Sequence, residues 1–482
     1  MTRWRARIVV AALAALTALV ALYRLESGRA GVEITELMLG DSPARLYQAR
    51  ANPDDLVVLA HGFAGSRQMM EAIALTLARA GHAVVSFDFQ GHGRHRTALS
   101  PDITTLTGTT EDLVRQTLFV VDEARELTDL PLAGLVGHSM ATDVVIRAGE
   151  RLDQAPDIAA ISMYSEAVTP DHPQRLLIIS GAQETRLREV ALDAVAQLGP
   201  RVEGETVRDA AAERRAVAAP LVGHAGVLWS PRTASEIAEW FGTNPSPVRS
   251  GPWISVLLGA IVALTWALSP VLPREPAPAT PPPSRKRAWL ASIAPAPLAF
   301  GVAFTDLALL GLTGFGALAL VFAIWGALAL VILRWRPHGT PGPLMATLSF
   351  VLACSLAFAL ALDRYGAAFL PTGPRLTLMI ALLPATVLFA VADRAMVSGR
   401  ALLMRLALRL PFLLTLGVAM AFNIDAIGML FTVFPVYVLY VVVYTSIAVW
   451  GARRGSPLGA ALASGVILAW AIAASTPLFA TA

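Results

Sequence analysis

The sequence predicts an α/β domain with a mostly parallel sheet, preceded by one N-terminal membrane anchor and followed by a bundle of about eight transmembrane helices. Three observations lead there. Hydrophobic residues make up 55% of the 482 residues and charged residues 15%, with a mean hydropathy of +0.59, where soluble chains average about 25% charged. The apolar excess is uneven: residues 31–242 are mixed, with many Asp, Glu and Arg, while Leu, Ala, Val and Phe dominate both flanks. Inside the mixed block, short runs rich in Val, Ile and Leu alternate with amphipathic stretches, the pattern of a parallel sheet covered by helices on both faces. The chain therefore divides into an anchor at 1–30, an α/β domain at 31–243 and a polytopic membrane domain at 244–482.

The anchor is an apolar run at 8–23 preceded by Arg3, Arg5 and Arg7. It leads into Tyr23-Arg24-Leu25-Glu26 without a small-residue cleavage site, which favours an uncleaved anchor over a signal peptide. By the positive-inside rule the basic start stays cytoplasmic and the α/β domain lies across the membrane.

Apolar runs long enough to span recur near 252–273, 289–311, 313–333, 344–362, 376–393, 405–422, 427–449 and 457–479. Basic residues follow every second one: Arg274 with Arg285-Lys286-Arg287, then Arg334 and Arg336, then Arg394, Arg400 and Arg405, then Arg453 and Arg454. All these loops then face the cytoplasm together, which again leaves the α/β domain outside. The expected location is a bacterial inner membrane with that domain on the periplasmic side; the bacterial source is inferred from the abundance of Ala and from positive charge that is almost all Arg. Residues 274–287, with Pro276, Pro278 and Pro281-Pro282-Pro283, read as a semi-rigid linker. The net charge of +3 and the placement of Arg in short loops argue against nucleic-acid binding. The one cysteine, Cys354, excludes an internal disulfide. Asp306 inside an apolar run is a costly position that is either functional or a helix–helix contact. Asn423 and Asp425 read as loop, and Tyr437, Tyr440 and Tyr444 as a packed helix face.

Strands are expected at Leu56–Ala60, Ala83–Phe87, Leu132–Gly137, Ile158–Tyr164, Leu176–Ser180 and Ala216–Val222, with helices at 68–80, 110–127 and 142–151. Ligands in such folds bind beyond the carboxyl ends of the strands, and each chemistry-bearing motif falls at such an end. Gly137-His138-Ser139-Met140-Ala141 stands between a strand and a helix, the context of a nucleophile elbow. The sharp turn strains Ser139 and demands small residues two positions away, supplied by Gly137 and, in place of the common Gly, Ala141. His61-Gly62-Phe63-Ala64-Gly65-Ser66 follows an early strand, where a loop amide is expected to face a developing oxyanion together with the amide after the nucleophile. Phe63 and Met140 are the candidate donors. Val222-Gly223-His224-Ala225-Gly226 follows the last strand, and His224 fits the general base that takes the Ser139 proton. His61 belongs to the oxyanion loop, His92 and His95 are placed at the entrance, and His138 is expected to point away.

These segments, with Asp88-Phe89-Gln90-Gly91-His92-Gly93, resemble the α/β-hydrolase superfamily in its esterase, lysophospholipase and serine-aminopeptidase-like branch, over roughly residues 31–242. The resemblance implies the order serine, acid, histidine, with the acid in a Gly-x-x-acid turn after a late strand. Gly181-Ala182-Gln183-Glu184 places Glu184 there, where Asp is commoner; Glu166 and Asp171 are its rivals. Many relatives insert a lid between the strands at 158–164 and 176–180, but this sequence has no room for a sizeable one, so the site is open or covered by the membrane half.

The leading expectation is a membrane-bound serine hydrolase of esters, thioesters or amides, the acyl substrate small or lipid-like, acting through an acyl-enzyme on Ser139, His224 and Glu184. No metal or organic cofactor is implied. An acyltransferase using the same three residues, and a non-enzymatic sensor or transporter with a hydrolase-like outer domain, are the alternatives.

Overall fold

The structure is a computed structural model that describes all residues except 1, 50, 51, 104, 277–282, 306, 426 and 482. Two compact units are formed: Leu19–Leu257 with Leu362–Ala368, and Met1–Ala18, Leu258–Ala361 and Phe369–Ala482. The Asp306 position and residues 277–282 of the proline-rich linker lie outside the described residues.

The first unit holds a nine-stranded sheet. Its strands are β1 (Glu33–Leu39), β2 (Ser42–Gln48), β3 (Leu56–Ala60), β4 (Ala83–Phe87), β5 (Leu132–His138), β6 (Asp157–Ile161), β7 (Arg175–Gly181), β8 (Thr206–Arg208) and β9 (Glu213–Ala219). They lie in the order β1-β2-β4-β3-β5-β6-β7-β9-β8. The six strands from β4 to β9 in that order pair in parallel, and these are the six read from the sequence. The antiparallel additions are β1, β2 and β8. Strands β3 and β4 are buried at every residue, as continuous Leu-Val-Val-Leu-Ala and Ala-Val-Val-Ser-Phe runs require of strands covered on both faces. The covering helices are α2 (Glu71–Ala80), α3 (Glu111–Thr128), α4 (Ala141–Glu150), α5 (Thr185–Ala196) and α6 (Pro231–Trp240), numbered after the N-terminal helix α1 (Thr2–Arg29).

Strand β2 carries a cation into the interior. Arg45 is buried and its guanidinium is matched by Glu36 on β1 at 2.6 Å and Glu71 on α2 at 2.9 Å. Asp88, also buried, accepts from the Arg67 amide at 2.8 Å, the Arg67 guanidinium at 2.5 Å and the Arg94 amide at 3.0 Å. A buried carboxylate is tolerable only with such partners. The segment Leu362–Ala368 is held in this unit by Arg94–Asp363 at 2.7 Å, Arg364–Glu26 at 2.8 Å and the Ala368 amide donating to Ser66 Oγ at 2.9 Å.

Among the described residues, eight helices are long and apolar enough to cross a membrane. One is in α1 and seven follow the α/β domain: α7 (Gly251–Leu268, continuing as a turn to Val271), α10 (Phe315–Leu333), α11 (Pro341–Tyr365), α12 (Pro374–Val397), α13 (Leu402–Phe422), α14 (Ile427–Ala452) and α15 (Pro457–Ser475). Between α7 and α10 the sequence suggests a span at 289–311. The chain instead forms two short helices, α8 (Arg285–Ile293) and α9 (Ala296–Val302), and then turns. Pro295 and Pro297 sit at the break, where a ring without an N–H cannot continue the hydrogen-bond ladder. Helices α12 and α13 are joined by a buried, two-pronged ion pair, Arg409 to Asp393 at 2.8 and 2.6 Å. Tyr437, Tyr440 and Tyr444 are buried, and Asn423 and Asp425 lie in the turn after α13.

Candidate functional site

Strand β5 ends at His138 and α4 begins at Ala141, leaving two residues for the reversal. Ser139 takes it up with φ +52°, a left-handed conformation that costs an L-residue about 1–3 kcal/mol. The crowding behind it is direct: a Cβ on Gly137 would stand 2.6 Å from the Ala141 carbonyl oxygen. The elbow is pinned by the Ser139 amide donating to Ile161 O at 2.8 Å and by Thr142 Oγ1 donating to Ser139 O at 2.6 Å.

His224 reaches Ser139 from the loop after β9. Its Nε2 lies 2.9 Å from Ser139 Oγ and its Nδ1 2.6 Å from Glu184 Oε1. An ionised carboxylate only accepts, so Nδ1 carries the proton and Nε2 is left to accept from the serine hydroxyl. Glu184 caps the turn after β7, and its second oxygen accepts from the Gly181 amide at 2.6 Å and Ser162 Oγ at 2.7 Å. Burial raises its carboxyl, but the hydrogen bonds from His224, Ser162 and Gly181 outweigh it and hold the group below its ordinary value. The rivals stand elsewhere: Asp171 is exposed and accepts from Thr169 Oγ1 at 2.8 Å, and Glu166 lies on the loop after β6.

The 61–66 loop abuts the elbow. A Cβ on Gly62 would fall 2.8 Å from His138 Nδ1 and 3.1 Å from Ser139 Cβ, so the loop that carries Phe63 packs directly against the elbow that carries Met140. Ala64 turns the loop with φ +56°. His61 is fully buried, its Nε2 accepting from the Phe89 amide at 3.1 Å, and burial lowers its pKa.

Three histidines stand elsewhere than the sequence suggests. His138 does not point away: its Nε2 donates to the His224 carbonyl at 3.0 Å, with the two rings 5.1 Å apart. Burial pushes its pKa down to about 4, so it stays a neutral donor that props the His224 loop. His92 and His95 are not at an entrance; both are buried, and their Nδ1 atoms bond Gln90 O and the Thr97 amide. The sequence offered no period or motif that would have singled out Ser162, which has φ +53° and hides its side chain behind the acid.

A line of serine hydroxyl, imidazole and carboxylate beside a glycine loop can deprotonate the hydroxyl and stabilise the resulting imidazolium. The sheet order and the elbow at the end of β5 decide the architecture. The domain has the α/β-hydrolase fold. Residues 51–239 match the family model described as serine aminopeptidase, S33. No curated protein matches the chain. Among solved structures, a dienelactone hydrolase from Anabaena variabilis is 18% identical, with 45% of this chain and 99% of that chain covered and a TM-score of 0.35. A membrane phospholipase A described as a bacterial virulence factor is 14% identical, with 50% and 98% covered and a TM-score of 0.32.

Proposed function

We propose that this α/β-hydrolase domain is a serine hydrolase that cleaves an ester, thioester or amide through an acyl-enzyme, at the surface of the membrane that holds it. The observation that carries the reading is the continuous chain Ser139 Oγ–His224 Nε2, His224 Nδ1–Glu184 Oε1. His224 removes the hydroxyl proton as Oγ attacks the carbonyl carbon. The amides of Phe63 and Met140 take the oxyanion, an effect worth about 3–4 kcal/mol per donor in related chemistry. The tetrahedral intermediate collapses as His224 returns the proton to the leaving group. A water, deprotonated by His224, then releases the acyl group and restores Ser139. Glu184 holds the imidazole and balances its charge.

The substrate is lipid-like in this reading. Helix α1 and helix α7 tether the domain at its two ends, and the His224 side chain is 51% exposed, which suits an acyl group presented from outside. The domain faces the periplasm of a bacterial inner membrane. Basic residues follow α7, α10, α12 and α14, and the broken pair α8–α9 serves as the crossing that keeps Arg285–Arg287 and Arg334 on one side.

Hydrolysis of nitrophenyl esters of short and long acyl chains by the detergent-solubilised full chain tests the activity. Wild type should turn over and prefer the longer chains, while Ser139→Ala and His224→Ala should be inactive. A folded wild type without turnover on any ester, thioester or amide would contradict the assignment. Product analysis with an added alcohol separates hydrolysis from acyl transfer.

A further inference from the structure

The membrane unit contains a cavity of about 350 Å³ that lies far in sequence from the serine site, within the usual range for small-ligand sites of roughly 300–1,000 Å³. Three helix ends build it: the start of α1 with Trp4 and Arg7, the end of α7 with Trp266, and the end of α14 with Trp450, Arg453 and Arg454. Buried Ser269 closes the floor. Arg7 lies over the Trp266 ring at 4.8 Å, and its guanidinium donates to Trp266 O and Ser269 Oγ, each at 3.4 Å. Arg454 donates from Nε to Leu272 O at 2.7 Å.

No carboxylate lines the cavity, and none of the three arginines has an ion pair among the described residues. Three guanidiniums around one hollow repel one another unless an anion sits among them. The positive-inside rule accounts for arginines near these helix ends, but not for their convergence on a hollow walled by indoles. Guanidinium forks match phosphate oxygens in pairs, tryptophan is the residue of the membrane interface, and basic hollows between spans take acidic lipid headgroups.

We infer that this cavity binds the phosphate headgroup of an anionic phospholipid. The indoles fit the glycerol and upper acyl region, and the arginines take the phosphate, while Ser269 Oγ, which donates to Trp266 O at 2.9 Å, holds Arg7 in place. In the proposed topology the lipid belongs to the cytoplasmic leaflet, and it clamps α1, α7 and α14 together. The occupant is a lipid and not a soluble phosphate ester because the walls are aromatic and the hollow lies at the ends of three spans.

The test compares thermal unfolding of the delipidated full chain in nanodiscs of phosphatidylcholine alone and of equimolar phosphatidylcholine and phosphatidylglycerol. Wild type should gain several degrees in Tm from phosphatidylglycerol, and Arg453→Gln/Arg454→Gln should lose most of that gain. If the double variant misfolds, Arg453→Gln alone serves, because no ion pair of its side chain is lost. Native mass spectrometry should show one retained anionic lipid on wild type and none on the variant. An equal gain from both lipids, an unchanged gain in the variant, or an equal loss in Lys286→Gln, a basic residue outside the cavity, overturns the site. Stabilisation by inorganic phosphate or glycerol phosphate in detergent that matches phosphatidylglycerol overturns the lipid as occupant.

Discussion

Ser139 works only if two other side chains keep their places. Removing the carboxylate while keeping its shape isolates that dependence: Glu184→Gln should lower kcat by roughly 10²–10⁴-fold, because the amide no longer fixes the imidazole tautomer or balances its charge. Steady-state kinetics on the preferred ester checks this. Ser162 donates to the same carboxylate, so Ser162→Ala should cost on the order of 10-fold in kcat with KM little changed, as expected for one hydrogen bond to a charged group. Glu184 also links stability to pH. Its folded pKa lies below the ordinary 4.5, so its ionised form contributes stability above that value, and the contribution disappears as pH falls through the depressed pKa. The Tm difference between wild type and Glu184→Gln, followed by scanning fluorimetry, should therefore be constant near neutral pH and shift below about pH 4.5 against wild type. At this scale the sequence was informative where a motif had to sit at a strand end: Ser139, His224 and Glu184 lie within hydrogen-bond distance of one another in a row. It was silent where the partner is set by folding. Ser162 bonds Glu184 across two neighbouring strand ends, and His138 turns back to His224 although it adjoins the nucleophile in sequence.

At the level of elements, two tight approaches locate the site. Gly62 lies against the elbow and Gly137 against the start of α4, with no room for a methyl group at either. Gly62→Ala must displace the loop that carries Phe63, so activity should fall by about 10²-fold or more while the domain stays folded, as expected for misplacing one oxyanion donor. Gly137→Ala meets backbone rather than a movable side chain, so circular dichroism should show lowered stability as well as lost activity. The six parallel strands were legible because continuous apolar runs have few other fates. Strands β1 and β2 were not. Ser-Pro-Ala-Arg-Leu-Tyr-Gln of β2 reads as surface, yet most of it is buried, since Glu36 and Glu71 neutralise Arg45 from adjacent elements. Burial by ion pairing leaves no hydrophobic period to read. At α8 and α9 the error was of another kind: hydropathy suggested one continuous helix, and Pro295 and Pro297 break it into two.

For the whole molecule, the proposed topology puts the α/β domain and the arginine-bearing loops on opposite sides of the membrane. In a Cys354→Ser background, a cysteine at exposed Gln154 should react with a membrane-impermeant maleimide in cells whose outer envelope alone is permeabilised. A cysteine at exposed Lys286 should react only after the inner membrane is opened. The reverse pattern would invert the topology and place the substrate in the cytoplasm.

In the proposed mechanism everything depends on Ser139 being an activated nucleophile. Membranes containing the full chain should be treated with a fluorophosphonate probe, which phosphonylates a serine only when its neighbours activate it. A covalent adduct should map to Ser139 by peptide mass spectrometry, be lost in Ser139→Ala and be strongly reduced in His224→Ala. A folded wild type that takes up no label, or an adduct unchanged in Ser139→Ala, would contradict it.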